Sequence, residues 1–365
     1  MRRPLIVLSC LALLPCVAMP LHAEVTRTVR IELPAGQEGR FAVENLAGSI
    51  SVLPGDSRRV VASATIHAES EELAGQVSFV TIEAAGKAPI LRLRYPLEKY
   101  GTIRYPGRGD GTKGGEDRNG GFLGRIFGGG LDTSTRYDGH RVKVGSGAGV
   151  LLYADIEVRV PAGVETDASF RIVAGGITAR DLKGSLRFDT GSGDVIAGDI
   201  TGEHLGCDTG SGSCRITGFK GRSIDCDTGS GNVVISGGHA VTIKADTGSG
   251  NIRIETDGVE EVLADTGSGN LALITEGRGL KRVSADTGSG NVRLGLGPEA
   301  SFELVTSQGS GALRNGYDDA QPILKGRELI GYRRGTGGAR IDVDTGSGNV
   351  TIEPDRSPDR KTTMR

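Results

Sequence analysis

The pentapeptide Asp-Thr-Gly-Ser-Gly recurs along this chain, starting at Asp189, Asp208, Asp227, Asp246, Asp265, Asp286 and Asp344. A carboxylate on a glycine-flanked turn is the residue type used for acid–base hydrolysis by paired aspartates. That chemistry needs two carboxylates sharing a proton, each supported by its own lobe or subunit. Copies spaced 19, 19, 19, 19 and 21 residues apart have no room for such scaffolds. Regular spacing instead predicts a row of carboxylates, and no catalytic residue is assigned.

A row raises its own physical question. Unit charges ~4.8 Å apart repel by about 1 kcal/mol per neighbouring pair in bulk water. Two arrangements offset this. In the first, each Asp accepts hydrogen bonds from the following backbone N–H groups, an Asx-turn helped by Thr190, Ser192 and their equivalents. In the second, Ca²⁺ sits between the carboxylates of Asp189, Asp208, Asp227, Asp246, Asp265 and Asp286. The nine-residue period of calcium-binding β-rolls is absent, which favours the local reading.

Five residues after each Asp stands Asp194, Ser213, Asn232, Asn251, Asn270, Asn291 or Asn349. Stacked amides predict a structural ladder at Asn232, Asn251, Asn270, Asn291 and Asn349. Cys207 and Cys226 hold equivalent positions one repeat apart, with Cys214 facing the same interior from the opposite side. Their Cα separation, ~4.8 Å, is within disulfide range, but parallel side-chain directions disfavour the bridge dihedral. Buried free thiols are the favoured reading. No pair has a metal-type CxxC spacing.

The elements that position these residues follow from the flanks. Aliphatic residues stand three before each Asp (Leu186, Leu205, Ile224, Ile243, Val262, Val283, Ile341) and eight after it (Ala197, Ile216, Ile235, Ile254, Leu273, Leu294, Ile352). Within each flank the apolar positions are two apart, the period of a strand with one buried face. Each unit therefore reads strand, DTGSG turn, strand, second turn. A unit of 19 residues cannot bury its own apolar face, whereas stacked units bury a continuous core. The fold class is all-β, a parallel β-solenoid of about 19–21 residues per coil. Crossover handedness makes it a right-handed β-helix.

The DTGSG corner keeps a fixed length, with glycine expected where φ is positive. Extra residues all fall in the other turn, so that edge is the expected partner face. Ser307 to Gly311, SQGSG, sits in frame between the last two DTGSG copies, with an insertion over 313–340. Two fainter coils fit the template, one through Phe41, Val43, Gly48, Ile50 and Val52, the other through Ala168, Phe170, Gly175, Ile177 and Ala179. Val60–Ala68 and Pro89–Tyr95 also read as strands.

The resulting layout is a signal peptide over 1–23, a divergent N-terminal β region or cap over 24–100, a Gly-rich flexible insert over 101–149, solenoid repeats over 150–353 and a disordered tail over 354–365. Arg2 and Arg3 followed by an apolar run from Leu5 to Val17 form an export signal with cleavage after Ala23. The run is too short to span a membrane, so the mature chain has no transmembrane segment. Loss of the two arginines takes the formal net charge from −2 to −4. The tripeptide Arg108-Gly-Asp110 lies in a Gly- and Arg-rich stretch where such matches arise by chance.

At this point the residues resemble a known family, the bacterial "putative adhesin" domain, domain of unknown function 4097. The resemblance rests on FAVENLAGSISV near the start, VRVPAG before the repeats and the run of TGSGNV turns, and covers about residues 27 to 353. It implies an exported β-solenoid without established catalytic activity, and carries over no catalytic, cofactor or ligand residues. The long Gly-rich insert and the widened final unit depart from the pattern.

Aromatics are 4% of the chain and Trp is absent, which argues against a nucleic-acid or sugar-stacking groove. The expected function is therefore non-catalytic: an exported, periplasmic, cell-surface or extracellular solenoid presenting a repetitive surface to an envelope protein, an extracellular protein or a glycan. The alternative is a polysaccharide-binding or polysaccharide-acting β-helix, with Phe219, Tyr317 and Tyr332 near the variable edge. No cofactor is expected beyond the calcium alternative.

Overall fold

The structure is a computed structural model that describes residues 24–33, 39–106 and 133–355. The expected signal segment, Arg108-Gly-Asp110 and the tail from 356 lie outside the described residues. Two walls of parallel strands enclose one apolar core. Each coil contributes one strand to the first wall, turns at DTGSG, and contributes a second strand to the other wall. In strand Lys220–Thr228 the burial pattern alternates, with Ile224, Cys226 and Thr228 buried and Asp225 and Asp227 exposed. That alternation is the strand period made physical, since successive side chains leave opposite faces.

The stack begins with the long strand Arg40–Gly55, which turns from the first wall into the second at Gly48, where φ is +119°. The equivalent strand Thr166–Arg180 stacks on it, pairing Ala168 with Phe41, Phe170 with Val43, Gly175 with Gly48 and Ile177 with Ile50. Both fainter coils thus share the register of the strong ones. The first wall then continues through Gly184–Thr190, Thr201–Thr209, Lys220–Thr228, His239–Thr247, Glu261–Thr266 and Arg282–Thr287.

The final coils depart from chain order. Strand Ala339–Ser347 pairs with Arg282–Thr287, and strand Phe302–Ser310 pairs with the far side of Ala339–Ser347. The SQGSG coil is therefore outermost, and the last DTGSG coil is inserted beneath it. The insertion between them forms an antiparallel hairpin, Gln321–Lys325 with Glu328–Arg334, whose second strand pairs antiparallel to Phe302–Ser310. Antiparallel strands also close the other end: Ser78–Ile82 pairs with Ile90–Arg94 on the first wall. On the second wall, Val25–Glu32 and Val61–Ala68 cover strand Val150–Pro161. Capping of this kind protects the open edges of a parallel stack.

The segment 101–149 is not all flexible insert. Its described ends form strands Thr102–Arg104, Thr133–Tyr137 and His140–Gly145, which pair with one another and reach strand Val150–Pro161. Ile103, Val142 and Val144 are buried in the common core, and this burial is what orders them. Strand Val150–Pro161 in turn pairs with Arg40–Gly55 and Val61–Ala68, so it belongs to the N-terminal end of the stack.

Candidate functional site: an aspartate column and its corner

The DTGSG aspartates stand on the outer face of the first wall, between two inward residues. Cys207 and Thr209 flank Asp208, Cys226 and Thr228 flank Asp227, and all four flanking side chains are buried. Strand register aligns Asp189, Asp208, Asp227, Asp246, Asp265, Asp286 and Asp344 as direct neighbours. Side by side on one face, these carboxylates do not form the facing pair that acid–base hydrolysis requires.

The same column continues toward the N-terminus in residues the repeat does not mark. Asp189 pairs with Arg171, Arg171 with Glu44, and Glu44 with Arg92. This part alternates in sign. Arg171 Nε lies 3.5 Å from Asp189 Oδ2, and Arg92 Nε donates to Glu44 Oε2 at 2.7 Å. Arg92 also reaches Asp138, whose carboxyl Arg94 holds at 2.8 Å. From Asp208 to Asp344 the alternation stops. Among the described residues none of those six carboxylates has an ion-pair partner. Beyond Asp344 the column ends at Ser307.

The electrostatics follow. Partial burial, then the neighbouring charges of Asp265 and Asp227, push the Asp246 carboxyl above its ordinary range. Burial with Asp208 and Asp225 does the same to Asp227, and burial with Asp265 and Asp344 to Asp286. Asp189 is also raised, mainly by burial, although Arg171 opposes the shift. A shallow groove of about 380 Å³ runs along this wall, lined by Asp225, Asp227, Lys244, Asp246, Asp265 and Asp286. Its oxygen donors suit a hard cation or a cationic partner group.

The corner beside the column is held by threonine. Thr247 Oγ1 donates to the Gly231 carbonyl at 2.8 Å and accepts from Gly250 N–H at 3.0 Å. Thr209, Thr228 and Thr266 repeat both bonds. The Asx-turn expected of the aspartates is therefore replaced by a threonine clamp, because the aspartate side chain points outward while the next residue points into the corner. The expected reason for the glycines changes as well. Gly250 lacks positive φ; a Cβ there would lie 1.7 Å from the Gly231 carbonyl oxygen of the preceding coil. Close stacking of backbone, not left-handed conformation, selects glycine at this corner.

On the second side of the corner the amides form a ladder. Asn251 donates from its backbone N and Nδ2 to Asn232 Oδ1 at 2.8 and 3.2 Å. Asn270, Asn291 and Asn349 continue it, each onto the Asn of the coil beneath. Asp194 and Ser213 begin the row, and Ala312 N–H caps it on Asn349 Oδ1 at 3.0 Å.

The aromatic residues near the variable edge take another role. Phe219 and Tyr317 are buried, and Tyr317 donates its hydroxyl to the Leu296 carbonyl at 2.9 Å. Tyr332 is half-buried against the core. Phe219 and Tyr317 pack the solenoid rather than offer free ring faces to a sugar. Cys207, Cys214 and Cys226 are free and buried. The adjacent sulfur of Cys214, together with burial, pushes the Cys207 thiol up. Among the described residues no helix is long and apolar enough to cross a membrane.

Comparison with known proteins places this geometry. No curated protein matches the chain. Solved structures similar to it include a "putative cell adhesion protein" from Clostridium sporogenes ATCC 15579, at 10% identity over 91% of this chain and 100% of that chain, TM-score 0.22. A "putative adhesin" from Bacteroides fragilis NCTC 9343 shares 10% identity over 90% of this chain and 97% of that one, TM-score 0.39. A "putative lipid binding protein" from Parabacteroides distasonis ATCC 8503 shares 13% identity over 89% and 96%, TM-score 0.42. The family model described as Toastrack DUF4097 matches residues 153–353, more than half of the chain, and with its stacked parallel coils the protein belongs to that family.

Proposed function

We propose that the protein is a non-catalytic, exported β-solenoid that presents a repetitive surface for adhesion or for an envelope partner, and that the aspartate wall, rather than the variable-turn edge expected from loop length, is this surface. The observation that carries the reading is the uninterrupted column from Asp208 to Asp344. Six like charges in register work against the fold. Asparagine would occupy the same outward positions without charge. A stack that retains the charge is holding it for something outside itself, and the fitting partner carries cationic groups along an extended segment. Neither a cofactor nor a catalytic group is required. Export is supported by the Arg-led apolar segment within residues 1–23, and places the wall in the periplasm or at the cell surface.

The test is binding of labelled full-length protein to intact cells and to envelope fractions, at low and high salt. The comparison protein carries Asp227→Asn, Asp246→Asn and Asp265→Asn together. Several-fold weaker binding by the variant, with wild-type binding that falls as salt rises, is expected. Equal binding by the two proteins would sink the proposal.

A further inference from the structure

Three sulfurs meet inside the solenoid. Cys207 and Cys226 are register partners on the first wall, and Cys214 opens strand Cys214–Thr217 on the second. Their Sγ atoms all lie within 4.8 Å of one another, the only convergence of three potential metal-ligating side chains among the described residues. All three are free, with exposures of 3%, 1% and 0% for Cys207, Cys226 and Cys214. Nothing in the coil geometry demands sulfur here. The same first-wall column holds Phe188 before the cysteines and Ala245 after them, and the second-wall column holds Val195 and Val233 on either side of Cys214.

We propose that Cys207, Cys214 and Cys226 form a binding site for monovalent copper, Cu(I). Three cysteine sulfurs and no nitrogen or oxygen donor make a soft set, which selects a soft d¹⁰ ion. Structural zinc is almost always four-coordinate, and iron–sulfur clusters take four protein ligands, so both lack a donor here. With metal–sulfur bonds of ~2.3 Å, a trigonal site places its sulfurs about 4.0 Å apart, a contraction of under ~1 Å from the limit seen. Cu(I) displaces a thiol proton to solvent and cancels that one thiolate charge; each further thiol that ionises adds a negative charge the buried core must hold, so the neutral site pairs one thiolate with two thiol donors.

An acidic dish lies on the outer face of the same strands. Its volume is about 130 Å³, and it is lined by Arg187, His204, Gly206, Asp208, Asp225 and Asp227. Gly206, which follows Leu205 and precedes Cys207, adds no side chain of its own, and the space above it is taken by the His204 ring and the Arg187 stem. The three carboxylates raise the local cation concentration just outside the sulfur cluster.

The test uses full-length protein, reduced and metal-free, titrated with Cu(I) against a chromogenic Cu(I) chelator. Copper is supplied both to the folded protein and during refolding, because the cluster is enclosed. Zn(II) alone is titrated in parallel. The comparison proteins are Cys214→Val, and Cys207→Ala with Cys226→Ala, which copy residues the repeat already uses at these positions. The expected result is one Cu(I) per wild-type chain with a thiolate-to-copper absorption band. Cys214→Val should bind more weakly by more than the roughly 10–100-fold typical of second-shell loss, and the double variant should retain none. Copper retention by wild type no greater than by the double variant, through both loading routes, would overturn the proposal. So would tighter binding of Zn(II) than of Cu(I), or a bridge between two of the three cysteines in protein isolated without reductant.

Discussion

Asn349 donates from its backbone N and Nδ2 to Asn291 Oδ1, at 3.0 and 3.2 Å, across 58 residues of chain. The intervening SQGSG coil is displaced outward to make this contact, and its Ala312 N–H then bonds the free side of Asn349. Amide and backbone matching, rather than order along the chain, sets which coil stacks on which. Asn349 offers a backbone N–H and an Nδ2 donor to Asn291 Oδ1, and its own Oδ1 to the coil above. Ala312, at the equivalent place in the SQGSG coil, offers only a backbone donor and suits the end of the row.

The ladder should therefore be measurable as stability. Asn251→Leu leaves the Asn270 backbone N–H and Nδ2 without their acceptor, at 2.9 and 3.1 Å, and removes the Nδ2 bond to Asn232, while the backbone N–H of position 251 keeps its bond to Asn232 Oδ1. The positions are exposed, so water replaces part of the loss. Destabilisation of about 1 kcal/mol is expected in denaturant melts. An exposed change on the same coil, Arg253→Gln, should shift stability by less than about 0.5 kcal/mol. Equal effects for the two would contradict a ladder.

The threonine clamp should matter more, because it is buried. Thr247→Val keeps the shape but strands the Gly231 carbonyl and the Gly250 N–H. Two buried backbone groups without partners cost about 2–4 kcal/mol together. Thr247→Ser restores the hydroxyl and should recover most of the loss. A Val variant as stable as wild type would show that the aspartate, not the threonine, holds the corner.

Gly250→Ala tests the reason for glycine. A methyl group there meets the Gly231 carbonyl oxygen, which is itself bonded by Thr247. The stack must open locally, and a loss of several kcal/mol is expected, in the range of strong overpacking. Gly86→Ala is the contrast: φ is +73° but no atom lies within 4 Å of the added carbon. That change should cost about 1 kcal/mol, as a conformational penalty alone. A milder effect at Gly250 than at Gly86 would remove the close-stacking explanation.

The carboxyls of Asp227, Asp246 and Asp286 sit above their unfolded values in the folded chain. The folded state then binds more protons than the unfolded state across the carboxylate range, so stability from these groups falls as pH rises through that range. Their contribution is present below the unfolded value and lost above the folded one. Neutral buffers of rising ionic strength should stabilise the protein by screening the column. Calcium at the column would instead give a melting temperature that rises with Ca²⁺ well beyond the effect of equal ionic strength and falls again with EDTA.

Much of this was legible in the residues. The period of two around each DTGSG located the inward positions, and the Asp and Asn rows follow directly once coils stack in register. Three features were not legible. Outer order of the last two coils depends on pairings across 37 and 58 residues that no local pattern records. Arg171, Glu44 and Arg92 extend the aspartate column through coils without the pentapeptide, so only strand register joins them to it. Ile103, Val142 and Val144 lie in a stretch whose glycine content masks short strands, and burial against the N-terminal sheets reveals them. Residue pattern alone points to Asp as the turn closer where Thr closes it, since both residue types make local hydrogen bonds and only their facing separates them.

The central claim is that the aspartate wall is kept for an external partner at the expense of the fold. The most direct test measures stability and envelope binding on one protein, the variant with Asp227→Asn, Asp246→Asn and Asp265→Asn. A higher melting temperature than wild type at neutral pH and low salt, together with several-fold weaker binding to cells and envelope fractions, is the predicted result. A lower melting temperature with binding unchanged would contradict it, and would make the column part of the scaffold.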